Sequence, residues 1–136
     1  MIGIVIICHR KMALAIKETA VNIIGNKDYL EAIEVFPEDG IEGSMKKLET
    51  IFNAWQKLDG ILVFVDMFGG TPCNSVCKLI KQYENLDVVT GVNLPMVLSA
   101  ITSMNTYKDV EEMAENIVEQ NQKSVFNLRK LDIFRG

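Results

Sequence analysis

Short β-rich runs alternating with longer stretches of helical period predict an α/β fold, a doubly wound, mainly parallel four-stranded sheet with helices on both faces. Two further observations support it. Residues 61–65 are continuously apolar and rich in β-branched side chains, as strands covered on both faces are, and glycine or proline marks most transitions between segments. With 136 residues and 49% apolar content, the chain fits a single domain over 1–136 with room for a full core.

The first strand is the apolar run at residues 2–8, followed by a helix in which Met12, Ile16, Ala20, Ile23 and Ile24 recur at the spacing of one buried face until Gly25 and Asn26 stop it. A second strand, residues 30–36, ends at Pro37. Ser44 is placed to cap the next helix, whose Leu48, Ile51, Phe52, Trp55 and Leu58 form the clearest amphipathic stripe, with Gly60 closing the segment. Residues 61–65 then form a central strand ending in Asp66. After Met67-Phe68-Gly69-Gly70, Thr71 and Pro72 read as N-cap and first residue of a helix to about Tyr83. Residues 86–90 are a fourth strand, and 91–94 lead to a helix beginning at Pro95. A last helix, about 109–124, turns Val110, Met113, Ala114 and Ile117 inward. Residues 125–134 mix polarity, so a short edge strand and an arm reaching a partner both remain open.

No apolar run approaches the ~20 residues of a membrane span, and residues 1–3 open directly into a strand, so a cytoplasmic protein is expected. Three cysteines, an odd number, point to reduced thiols. A net charge of −4 without a basic stripe argues against nucleic acid as a partner.

His9 is the only histidine, and it stands where the first strand breaks off. In a parallel sheet His9, Asp66, the 69–72 turn and residues 91–95 all fall on the carboxyl edge of the strands, where open α/β folds do chemistry. A histidine nucleophile must be neutral with a lone pair facing outward; Asp66 is the carboxylate to hold one ring nitrogen and leave the other to attack. Gly69 and Gly70 allow close backbone approach, the following helix start offers N–H groups to an anion, and the Thr71 hydroxyl adds a donor. Taken singly, each feature has an ordinary reading: a solvated loop histidine, a turn-capping Asp, loop-to-helix punctuation. Their convergence on one edge brings the functional reading level with the ordinary one. Cys8, Cys73 and Cys77 lack zinc-site spacing and read as small buried hydrophobes, so no metal is expected. Arg10 and Lys11 read as a solvated patch able to meet phosphate or an acidic partner, and Trp55 as core.

The strings IGIVIICHR, VFVDMFGGTPCNSV and VVTGVNLPMVL resemble the IIA domain of the mannose, fructose and sorbose family of the bacterial phosphoenolpyruvate-dependent sugar phosphotransferase system (PTS), over nearly the whole chain. By that resemblance His9 would be phosphorylated on Nε2, with Asp66 holding the other nitrogen and Thr71 contacting the phosphoryl group. The protein would accept that group from the phosphocarrier HPr and pass it to a IIB domain, which phosphorylates sugar entering through membrane-bound IIC and IID. It would need no organic cofactor. The resemblance also implies a homodimer exchanging a C-terminal strand, the role it gives residues 125–134. Arg10 departs from the family, which usually has Gly after the histidine, as does Cys8, where Thr or Ser is common. Two alternatives share the fold: the phosphotransfer subunit of dihydroxyacetone kinase, whose second motif lacks the Phe-Gly-Gly-Thr-Pro turn, and a regulatory module in which His9 carries only a signal or no phosphate.

Overall fold

An unbroken apolar run extends best where both faces are covered, and β1 (Ile2–His9) is such a strand: every residue up to Cys8 is buried and only His9 emerges. In the computed structural model, which describes residues 1–134, β1 is central in a sheet with β2 (Leu30–Val35), β3 (Gly60–Val65) and β4 (Leu86–Val89). All pairings are parallel, in the order β2-β1-β3-β4. Residues 135 and 136, the last two of the predicted domain, lie outside the described residues.

Alternate side chains of the central strands feed two cores. Ile2, Ile4, Ile6, Cys8, Leu62 and Phe64 face α1 (Met12–Ile24), α4 (Leu94–Ser103) and α5 (Val110–Asn121). Val5, Ile7, Val63 and Val65 face α2 (Gly40–Ala54) and α3 (Gly70–Leu79). The connection from β1 runs to β2 on one side and that from β3 to β4 on the other, so the order reverses between β1 and β3, opening the crevice in which doubly wound folds bind ligands. No described helix is long and apolar enough to cross a membrane.

Several boundaries differ from the sequence reading. The buried stripe of α1 is Ala13, Ile16, Ala20 and Ile24, whereas Met12 and Ile23 are exposed; in a helix apolar nearly all round, the small alanines decide which face closes on the sheet. Ser44 lies inside α2, buried and donating to the Gly40 carbonyl, rather than capping it. Asp39 holds the cap position instead, and its carboxylate accepts from the Phe36 N–H. Strands β2 and β4 each stop one residue early, and α4 starts one residue before Pro95, capped by Asn93 accepting from the Met96 N–H. α3 ends at Leu79, short of Tyr83, because the chain turns back through Asn85, at φ +58°, to enter β4. α5 ends at Asn121 and continues as a 3-10 turn, Gln122–Ser124. Residues 125–134 form no edge strand but two 3-10 turns, Leu128–Lys130 and Asp132–Phe134, with Val125 and Ile133 exposed; they pair with neither of the sheet's open edges, β2 and β4.

Gly3 of β1 lies under Trp55, whose ring stands edge-on to Tyr29 with centroids 5.7 Å apart. A Cβ at Gly3 would fall 2.7 Å from the Trp55 ring and 2.8 Å from Leu58. Gly3→Ala should therefore cost about 1–3 kcal/mol through overpacking, read as a lower urea midpoint; an unchanged midpoint would mean Trp55 and Leu58 move aside freely.

Candidate functional site

Residues at odd positions in β1 face α2 and α3, and His9 continues that parity past the end of the covered sheet, so its ring emerges toward the start of α3. Asp66 follows β3 directly, one strand across. The register that sets Ile7 beside Val65 brings the two side chains together on the carboxyl edge.

One carboxylate oxygen of Asp66, Oδ2, accepts both the His9 ring Nδ1–H at 2.7 Å and the His9 main-chain N–H at 2.9 Å. The other, Oδ1, accepts from the Met67 N–H at 3.0 Å. Partial burial would raise the Asp66 carboxyl, but the hydrogen bonds from the His9 backbone and ring and from Met67 outweigh it and hold the group below its ordinary value. An ionised carboxylate only accepts, so Nδ1 carries the ring proton and Nε2 presents its lone pair. The His9 side chain is 44% exposed against 11% for Asp66: the carboxylate is sheltered while the free nitrogen faces outward.

Nε2 lies over Gly70, where a Cβ would come within 2.9 Å of Cε1 and 3.0 Å of Nε2. Gly69 and Gly70 take φ of +83° and +80°, a left-handed pair that side-chain-bearing residues rarely adopt, and this pair swings the chain into α3 two residues earlier than expected. Gly69 is therefore the N-cap and Thr71 sits inside the first turn, half-buried, correcting the assignment of Thr71 as cap and Pro72 as first helical residue. With Pro72 lacking an N–H, Gly70 and Thr71 supply the unpaired amides of that turn. All five predicted residues, His9, Asp66, Gly69, Gly70 and Thr71, thus lie at one place. Close backbone approach at the Gly-Gly pair was expected; that Gly70 lies directly against the His9 ring is what the structure adds.

Arg10, which stands where the resemblance has glycine, keeps a glycine-like backbone. Its φ of +53° is left-handed, which costs a residue with a Cβ about 1–2 kcal/mol. The turn is pinned by the Arg10 N–H donating to the Val35 carbonyl at 2.8 Å. Of the thiols, Cys8 is buried on the opposite side of β1 from His9, and desolvation, then the Asp66 charge, pushes it up to about 12, which makes it a poor nucleophile or ligand. Cys73 and Cys77 stand one turn apart on α3, with sulfurs 3.9 Å apart; Cys73 is buried as expected, but Cys77 is exposed, because it falls on the solvent side of the helix. No group of three or more metal-ligating side chains occurs among the described residues.

Residues 3–118 match the family model described as PTS system fructose IIA component. Among curated relatives, the PTS system fructose-specific EIIA component of Bacillus subtilis strain 168 is 29% identical over 91% of this chain and 84% of its own. The PTS system mannose-specific EIIAB component of Escherichia coli K12 is 26% identical over 94% of this chain, which spans only 40% of that relative. A crystal structure of the phosphotransferase system component EIIA from Streptococcus agalactiae superimposes with a TM-score of 0.88, covering 96% of this chain and 100% of that one; at 22% identity the likeness is one of fold.

Because Asp66 titrates lower folded than unfolded, its ionised form adds stability that is complete above the unfolded value of ~3.9 and lost as pH falls through the lower folded value. Asp66→Asn has no such charge to lose. Its unfolding free energy should fall less steeply than wild type below about pH 4, and parallel acid limbs in urea titrations would remove Asp66 from that response.

Proposed function

The chain belongs to the PTS fructose IIA component family, and on that premise we propose that it is a phosphocarrier, one IIA domain spanning 1–136, that accepts a phosphoryl group from HPr on His9 and passes it to a IIB domain. The observation that carries this reading is the Nδ1–Asp66 hydrogen bond, which leaves Nε2 as the free, outward nitrogen.

In the accepting step the Nε2 lone pair forms a bond to phosphorus as the bond between phosphorus and the donor's imidazole nitrogen breaks, and the donor ring keeps that electron pair. The proton on Nδ1 stays in place, so the phosphorylated ring carries positive charge against Asp66 and no net proton moves. Asp66 orients the ring and balances that charge. The amides of Gly70 and Thr71, at the positive end of the α3 dipole, and the Thr71 hydroxyl hold the phosphoryl oxygens, with Gly69 setting the turn. Transfer to IIB is the same step run outward, and coupling to sugar uptake lies with IIB and membrane-bound IIC and IID. The carrier works in the cytoplasm, where HPr and IIB reach the exposed face of His9.

As a homodimer, each protomer would lay residues 125–134 along the β4 edge of the other, covering Val125, Phe126, Leu128 and Ile133, which stand exposed in the single chain.

Incubation with phosphoenolpyruvate, enzyme I and HPr above neutral pH should add one phosphoryl group to His9, located by intact-mass and site-mapping spectrometry, and His9→Ala should gain none. Wild-type labelling of that variant would defeat the assignment; phosphorylated HPr beside an unlabelled chain would favour the regulatory module. Deleting residues 125–136 should turn a dimer into monomer or aggregate by light scattering, and an intact dimer would exclude the arm.

A further inference from the structure

Arg10 combines two local costs with a guanidinium that no carboxylate occupies among the described residues. Its backbone is left-handed, where a glycine would sit without strain. Its guanidinium is exposed and makes no ion pair or side-chain hydrogen bond among the described residues, whereas Lys17 and Lys47 both pair with carboxylates. With Lys11 it also stands at the amino end of α1, whose first turn holds no acidic residue and whose cap makes no side-chain hydrogen bond, so two cations crowd the positive end of a helix dipole. Residues kept against such costs cluster where function requires them.

The chemistry next door supplies the requirement. A phosphoryl group arriving at Nε2 adds a dianion beside the ionised Asp66, in a chain whose net charge is already −4. The Gly70 and Thr71 amides are neutral donors and leave that repulsion standing. A guanidinium one residue from the nucleophile opposes it with charge and with a forked set of donors suited to phosphate oxygens. We propose that Arg10 is a phosphoryl-binding residue, its guanidinium closing on the phosphoryl group carried by His9. This rests on the carrier reading above and adds to it a charged ligand for the phosphoryl oxygens that the amides of α3 do not provide.

Three substitutions in the full chain test it: Arg10→Gly, which removes charge and strain; Arg10→Ala, which removes charge and keeps a Cβ; and Arg10→Lys, which keeps charge without the fork. The readouts are the urea midpoint and the equilibrium constant for phosphoryl exchange with HPr, measured from both directions. Arg10→Gly should have the highest midpoint, yet both it and Arg10→Ala should shift the equilibrium toward phosphorylated HPr by about three- to tenfold. Arg10→Lys should recover part of that shift. The difference from wild type should shrink as salt rises from about 0.05 to about 0.5 M. Wild-type equilibrium constants in Arg10→Gly and Arg10→Ala would overturn the proposal. So would slower exchange at an unchanged equilibrium constant, which assigns Arg10 to docking the partner. No label on the wild-type chain, with HPr phosphorylated, would overturn the carrier reading and this assignment together.

Discussion

Parallel pairing of β1 with β3, two strands whose following connections leave toward opposite sides, is the constraint on which the rest of the structure depends. Both strands are buried along their length, so a one-residue slip would push a row of aliphatic side chains out of each core and exchange it for the row meant for the other face. The register is thereby fixed by packing, far from any chemistry. Its by-product is that the residues just past the covered segment of each strand, His9 and Asp66, meet at hydrogen-bond distance. The glycine pair that starts α3 then brings backbone rather than side chain against the ring.

Legibility of this arrangement in the sequence follows from what each feature depends on. Strands and helices were readable because burial on two faces leaves apolar runs and 3.6-residue stripes, and the meeting of His9 with Asp66 followed once the strands were taken as parallel. Helix starts were less readable. Ser44 and Thr71 carry the side chains of caps, but the chain had already turned at Asp39 and at Gly69, and a left-handed glycine pair looks in sequence like any flexible loop. In α1 the apolar residues surround the helix, so their spacing picked out Ile16, Ala20 and Ile24 but could not show that Ala13 faces the sheet while Met12 and Ile23 face water. The left-handed turn at Arg10 had no signal in the residue type itself; only the resemblance, which usually has Gly at that position, pointed to an unusual loop shape. Residues 125–134 mix apolar and polar side chains without a strand or helix period, and they fold as short 3-10 turns.

The thiols show how one edge of a sheet can hold reactive and inert groups side by side. Cys8 precedes His9, yet strand alternation sends it into the core between β1 and the α1, α4 and α5 layer, where a charged thiolate is disfavoured and Asp66 repels it further. The same carboxylate that favours positive charge on the imidazole disfavours negative charge on the sulfur. One group therefore steers chemistry onto nitrogen and away from its neighbour.

Asp66 Oδ2 binds the amide of His9 as well as its ring, so the peptide group of the proposed nucleophile shares an acceptor with its own side chain. When the ring gains positive charge the oxygen is drawn toward Nδ1, and the amide sharing it must feel the change. That amide is a built-in observer: in an isotope-enriched chain its nitrogen and proton resonances, assigned once, would follow the occupancy of Nε2 that the carrier reading requires, through a spectator that does not itself react, and would give the lifetime of the modified state without a quench.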